Sequence, residues 1–303
     1  AAAAGERMKE GMKDVIKKAD VLVEALPYIQ KFRDAIVVIK FGGSAMEEKD
    51  HSDGILQDAT FMECIGMNPV IVHGGGKAIN RAMKSSGLQA QFVKGLRVTC
   101  EKTIDIVHRV LRDEVNPEIV ATLEKMGARA QGVNGEDVFG AVRKTDQDAA
   151  TGETLDYGFV GEPVFVDTGP IVALIQKEII PVVTPLGRGT DGKVYNMNAD
   201  TAAAAMAKAL RARKLVFLTD VPGILRDRQA PDSILMTLKV GEVEGLIKRG
   251  VIDGGMLPKV MSGVDALHSG VGKVHMIDGR MSHSLLLEIF TDKGVGTEIV
   301  TDE

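Results

Sequence analysis

Cysteine is scarce in this 303-residue chain, basic residues do not outnumber acidic ones, and no long apolar run occurs. Each absence removes a class of protein. Cys64 and Cys100 cannot build a disulfide framework and do not form a CxxC pair, so neither a stapled secreted fold nor a structural zinc site is supported. With 37 Lys and Arg against 42 Asp and Glu, the net charge of -5 argues against a general nucleic-acid or anionic-membrane surface. No stretch approaches the roughly 18 apolar residues of a membrane helix, and the opening from Ala1 to Glu10 lacks the apolar centre of a signal peptide. The expected location is the cytoplasm. The Ala1–Ala4 start has no initiator Met and is set aside in reading the fold.

Several catalytic signatures are also missing. There is no GxxxxGK(S/T) loop and no GxGxxG after a strand, which excludes a P-loop and a dinucleotide fingerprint. HExxH, GxSxG and paired HRD and DFG motifs are absent too, removing zincins, nucleophile-elbow hydrolases and protein kinases.

What is present is an ordinary globular composition, 45% apolar and 26% charged, on a chain long enough for two lobes. From Arg7 to Arg33 apolar residues including Met8, Met12, Val15, Ile16, Leu22, Leu26 and Ile29 recur at three- and four-residue steps. That spacing predicts an amphipathic helix, with a kink at Pro27, whose apolar face needs the body of the protein or another subunit to cover it. Short β-branched runs at 35–39, 69–72, 179–183 and 215–218 then alternate with helical segments at 53–67, 77–86, 103–126 and 200–212. Near-continuous apolar strands of this kind indicate an α/β fold, a mostly parallel sheet sandwiched between helices. Pro117 predicts a break inside the third helical segment. The Gly-, Asp- and Thr-rich stretch 127–166 predicts hairpins at a sheet edge, and 185–192 a hinge loop. The implied organisation is an arm and interface helix (1–32), a first lobe (33–191) and a second lobe (192–303).

The first two strands each run into glycines, Lys40-Phe41-Gly42-Gly43-Ser44 and His73-Gly74-Gly75-Gly76-Lys77. Glycines there let backbone N–H groups approach an anion without interference from Cβ, and a following helix adds its positive N-terminus. Paired with lysines, the two loops predict an anion site. His73 is read as a group that fixes its loop.

Six ordered segments carry a resemblance. Lys40-Phe41-Gly42-Gly43, Val72-His73-Gly74-Gly75-Gly76, Gly95-Leu96-Arg97-Val98-Thr99, Tyr195-Asn196-Met197-Asn198-Ala199-Asp200, Leu218-Thr219-Asp220-Val221-Pro222-Gly223 and Gly254-Gly255-Met256-Leu257-Pro258-Lys259 resemble the motifs of the amino acid kinase family. Within it the chain is similar to the branch that phosphorylates the side-chain carboxylate of N-acetyl-L-glutamate with ATP in arginine biosynthesis. The resemblance implies that Lys40, Lys259 and Asp200 are catalytic, and that Gly74, Gly75, Arg97 and Asn196 bind the amino-acid substrate. It assigns Gly42, Gly43, Thr219, Asp220 and Lys259 to ATP, with Mg2+ carried on the nucleotide and no dedicated metal site. The tail from Met281 resembles the arginine-sensitive branch, which implies feedback inhibition with Tyr28, Lys214, His283, Glu288 and Gly294 near the effector. It also implies a homo-oligomer, dimer or hexamer, assembled through the N-terminal helix, and a PII-type protein as a further partner.

A carboxylate nucleophile is already ionised at neutral pH, so positioning and charge neutralisation suffice for phosphoryl transfer. Pro117 and the segment 131–148 depart from the family pattern, which leaves open a kinase of an N-acylated aminoadipate. A scaffold that binds effectors without catalysis is the alternative of a different class.

Overall fold

The computed structural model describes residues 2–46, 48–148, 151–227, 229–230, 232–291 and 294–302. Ala1, and the side chain of Met8 in the expected apolar stripe, lie outside the described residues. The long helix α1 (Ala2–Phe32) continues through Pro27 and leads to β1 (Ile36–Phe41), α2 (Lys49–Cys64), β2 (Asn68–His73) and α3 (Gly76–Ser85). A hairpin of β3 (Phe92–Val93) and β4 (Leu96–Arg97) precedes α4 (Glu101–Arg109), α5 (Asn116–Lys125) and β5 (Ala130–Val133). Next come β6 (Phe139–Gln147), β7 (Thr154–Val166), α6 (Gly169–Ile175), β8 (Ile180–Val183), β9 (Leu186–Gly189) and β10 (Val194–Met197). The remainder is α7 (Ala199–Ala209), β11 (Lys214–Thr219), β12 (Thr237–Lys239), α8 (Val240–Lys248), α9 (Met256–His268), β13 (Lys273–Asp278), α10 (Ser284–Phe290) and β14 (Thr297–Val300).

Eight strands form one sheet in the order β12-β14-β13-β11-β1-β2-β8-β5, parallel except for the β13–β14 pair. Side chains alternate across a strand, so each buried strand feeds two cores. Val38, Leu215 and Phe217 point into the layer shared with α7, whereas Val37, Ile39, Val216 and Leu218 join the layer with α2 and α5. The α/β class with a mostly parallel sheet is therefore as expected.

Three local expectations are corrected. Of the stretch 127–166, β5 does lie at the edge of the main sheet, but the β6–β7 hairpin does not: it closes with β9 and β10 into a separate small barrel, because its half-exposed alternation covers only one face. Residues 185–192 are not all loop: they contain β9 and its turn into β10, with β9 and β10 antiparallel. Pro117 does not break its helical run: a π-helical stretch, Val110–Val115, joins α4 to α5, and the proline sits in the first turn of α5, where its missing N–H costs least.

Helix α7 is rich in alanine because it packs against β1, β7 and α9 at once, and Ala202, Ala203 and Ala207 are wholly buried. Only a methyl-sized side chain fits between three neighbours at interior packing density. Ala203→Leu should therefore lower the unfolding free energy by about 2 kcal/mol through overpacking, read from urea denaturation. An unchanged midpoint would mean that the layer has spare room.

Candidate active site

The chain leaves β1 for β2 on one side and returns to β11 on the other. Where connections diverge in a parallel sheet, a crevice opens at the carboxyl ends of the strands. Lys40, near the end of β1, lies level with Val72 and Phe217 and is buried. The glycine loops beyond the strand ends touch: Gly74 N donates to Phe41 O at 2.7 Å, and a Cβ on Gly42 would lie 3.3 Å from Gly74 N. A side chain at Gly42 would press on the second loop and on the Lys40 stem, whereas a Cβ on Gly74 would meet only ordinary contacts.

Asp200 stands in the first turn of α7, but the helix is capped by Asn198, whose side chain accepts from Asp200 N at 2.8 Å and Thr201 N at 3.1 Å. The Asp200 carboxylate is thus spared capping duty. Its Oδ1 is 3.0 Å from Lys40 Nζ and its Oδ2 is 2.5 Å from Lys259 Nζ, the latter on the first turn of α9. Burial opposes ionisation of Asp200, yet the charges of Lys40 and Lys259 outweigh it and hold the carboxyl below its usual range. Three groups from three elements are locked into one charge cluster.

His73 is wholly buried at the end of β2. Its Nδ1 lies 2.8 Å from Gly74 O, which can only accept, so Nδ1 carries the proton; Nε2 then accepts from Asn116 Nδ2 at 3.0 Å. Asn116 also donates to Val182 O at 2.8 Å. Burial, opposed by the Gly74 hydrogen bond, depresses the His73 pKa to about 4. A neutral imidazole so held fixes the loop and has no free proton to exchange. Asn116 was not singled out in the sequence, since nothing marks an asparagine inside a helical run as a partner for a strand-end histidine.

Two cavities flank the cluster. One, of about 170 Å³, is lined by Gly74, Gly75, Arg97, Asn196 and Asn198 among others. Arg97 is buried, its Nη1 3.3 Å from Met83 Sδ and its Nη2 3.3 Å from Gly76 O, and no carboxylate among the described residues lies within ion-pair distance of it. Burial lowers its pKa from the usual arginine value. A buried guanidinium with such weak acceptors suits an anionic ligand. Asn196 Nδ2 is 3.5 Å from Thr99 Oγ1 at the same wall. The other cavity, about 530 Å³, is lined by Thr219, Asp220, Gly223, Gly254, Gly255 and Lys259 among others. The Thr219 hydroxyl is engaged by Val221 O at 2.7 Å and Ile277 O at 3.1 Å, so it shapes the cavity wall. Among the described residues, no group of His, Cys, Asp and Glu is arranged to hold a metal ion.

A third cavity, of about 360 Å³, lies away from the carboxyl ends of the strands, at the amino ends of β11 and β13 and between them, α1 and α10. Tyr28, Lys214, Glu288 and Gly294 line it, but His283 does not: its Nδ1 is 2.7 Å from the buried Asp58. His275 takes that place, with Nδ1 2.7 Å from Glu288 Oε1 and Nε2 3.2 Å from Lys214 Nζ. Burial lowers the Lys214 ammonium to about 8. His283 was expected here from the resemblance of the tail, whereas His275 sits inside a strand, where periodicity alone reads it as filler.

Residues 35–278 match the profile of the Amino acid kinase family. The chain is 46% identical over 294 residues to acetylglutamate kinase of Heliobacterium modesticaldum, covering 95% of this chain and 100% of that one. It is 47% identical to acetylglutamate kinase of Desulfitobacterium hafniense, with 93% and 96% covered. Among solved structures it resembles N-acetylglutamate synthase from Neisseria gonorrhoeae complexed with coenzyme A and N-acetyl-glutamate, at TM-score 0.80 and 28% identity. That match covers 93% of this chain and 63% of the synthase chain. Carbamate kinase from Giardia lamblia shares the fold at TM-score 0.65 and 18% identity, with 88% of this chain and 99% of that one covered.

The buried His73 gives a pH dependence of stability. Its folded pKa of about 4 lies below the ordinary 6.5, so its contribution is complete above 6.5 and is lost as pH falls through 4. Relative to His73→Gln, the wild type should lose about 3 kcal/mol of unfolding free energy between pH 7 and pH 4. Parallel pH profiles for the two proteins would show that His73 is not buried in its neutral form.

Proposed function

The chain belongs to the amino acid kinase family, and from that premise we propose the roles of its three cavities. It is a carboxyl-acceptor phosphotransferase of the acetylglutamate kinase type, an activity of arginine biosynthesis. The smaller strand-end cavity holds N-acetyl-L-glutamate and the larger one ATP, within an amino-acid lobe at 33–191 and a nucleotide lobe at 192–303. The observation that carries this reading is Asp200 bridging Lys40 and Lys259, with Lys259 on the wall of the larger cavity and Asn198 and Ala199, just before Asp200, on the wall of the smaller one.

The substrate's side-chain carboxylate, with an ordinary pKa near ~4.3, is the nucleophile and needs no general base. One of its oxygens attacks the γ-phosphorus, the bond from that phosphorus to the bridging oxygen breaks, and ADP leaves as the acyl phosphate forms. Charge spreads over the moving phosphoryl and the leaving oxygen. Lys40 neutralises it from the amino-acid side and Lys259 from the nucleotide side. Backbone N–H groups of Gly43 and Gly75 add donors, while the Gly74 N–H, held by Phe41 O, keeps the two glycine loops together. Arg97 pairs with the α-carboxylate and Asn196 lies beside it. Magnesium would arrive with ATP as the MgATP substrate and would supply further positive charge against the phosphates.

The third cavity takes arginine as a feedback inhibitor. Glu288 and Glu298 offer acceptors to a guanidinium, and Lys214 and Lys273 offer donors to a carboxylate. Helix α1 supplies Tyr28 to the cavity while leaving Val15, Ile16, Leu22 and Leu26 exposed. That uncovered face suits a second copy of the chain, which would place the regulatory cavity beside the interface of a hexamer; a PII-type protein is a further partner.

Acyl phosphate trapped with hydroxylamine tests the reaction. N-acetyl-L-glutamate should give product where N-acetyl-aminoadipate, glutamate and aspartate give little, and equal turnover of the aminoadipate would contradict the assignment. Lys40→Ala and Lys259→Ala should each lower kcat by roughly 100- to 1,000-fold. For regulation, Glu288→Gln should raise the half-inhibitory arginine concentration by about tenfold, the scale of one charged hydrogen bond. Equal inhibition of both proteins would place the effector elsewhere.

A further inference from the structure

Resting on the reading of the smaller cavity as the amino-acid pocket, we propose that Phe92 is a positioning residue that holds the Arg97 guanidinium for the substrate α-carboxylate. Strands β3 and β4 are joined by Lys94 and Gly95 alone, with φ of 48° and 79°. Two successive residues of positive φ form the tight turn whose twist matches paired strands, and a two-residue loop fixes register. The register sets Phe92 directly opposite Arg97. The guanidinium carbon lies 4.8 Å from the ring centroid, within cation–π range.

Phe92 is 54% exposed, although it lines the cavity together with Arg97 and Asn196. A large aromatic left this open adds little to the hydrophobic core, so its position is explained by what it touches. A guanidinium is planar: its edge carries the N–H donors that meet a carboxylate, and its face accepts a ring. Phe92 can therefore hold the face while leaving the edge open to the ligand. The other partners of Arg97 within hydrogen-bond distance, a thioether and one carbonyl at 3.3 Å each, are too weak to orient a long side chain. Ordering the guanidinium before binding removes an entropic cost from the binding step. That benefit appears in affinity for the amino-acid substrate, not in the affinity for ATP.

The test uses the full-length protein with Phe92→Leu, Phe92→Tyr and phenylalanines bearing one, two or five fluorines at position 92. Binding of N-acetyl-L-glutamate is measured by calorimetry, and KM for both substrates by initial rates. Leucine should weaken N-acetyl-L-glutamate binding roughly 3- to 10-fold, tyrosine should retain it, and affinity should fall with each added fluorine as the ring face loses electron density. KM for ATP should stay constant throughout. A flat fluorine series, or leucine equal to tyrosine, would overturn the proposal, because packing alone does not respond to ring electrons. If the wild type does not bind N-acetyl-L-glutamate, the reading of the pocket fails, and the role of Phe92 is then decided by phenylglyoxal modification of Arg97 without substrate. Several-fold faster modification in Phe92→Leu supports the positioning role; an equal rate refutes it.

Discussion

The Asp200 carboxylate, held between two ammonium groups, is the interaction on which the geometry of the candidate active site depends. Lys40 comes from the central strand and Lys259 from α9, so without a shared anion two like charges would repel one another across the crevice. Burying a carboxylate is costly in isolation, and here two cations offset that cost in a pocket closed by backbone. The arrangement leaves one net positive charge beside the glycine loops. A site so charged suits a phosphoryl group that is losing one anionic partner and gaining another.

The scaffold supports that cluster at each point. Asn198 takes over the capping of α7, which frees Asp200 to face the lysines. Asn116 and His73 tie the helical run after the π-helical stretch to the second glycine loop and to Val182 of β8. The alanine surface of α7 lets that helix lie close to β1, which brings Asp200 within reach of Lys40. The third cavity uses different chemistry: Lys214, His275 and Glu288 form a chain of contacts between β11, β13 and α10, on the side of the sheet where α1 packs. The strand-end cavities and the third cavity are thus built from different parts of one sheet.

Much of this was legible in the sequence because parallel central strands are almost uniformly apolar and end at glycines. That pattern located β1, β2, β8 and β11, and with them Lys40 and the loop that ends at Gly76. The barrel strands β6 and β7 were harder, since their exposed faces carry mixed polar residues and their pairing depends on distant β9 and β10. Pro117 misled because a proline inside a helical period reads as a break, whereas a π-helical stretch before it relieves the lost hydrogen bond. Asn116, His275 and Phe92 gain their roles only from residues far away or across a hairpin. His283 stood out in its tail segment but is bound to Asp58 instead of facing the third cavity.

The most direct test of the account is a crystal structure with MgADP, aluminium fluoride and N-acetyl-L-glutamate bound together. Lys40 Nζ and Lys259 Nζ should both lie about 3 Å from fluorides of the planar group, each still paired with Asp200. Either ammonium group turned away from the fluoride, with Asp200 paired elsewhere, would contradict the claim that this carboxylate aims two cations at the transferred phosphoryl.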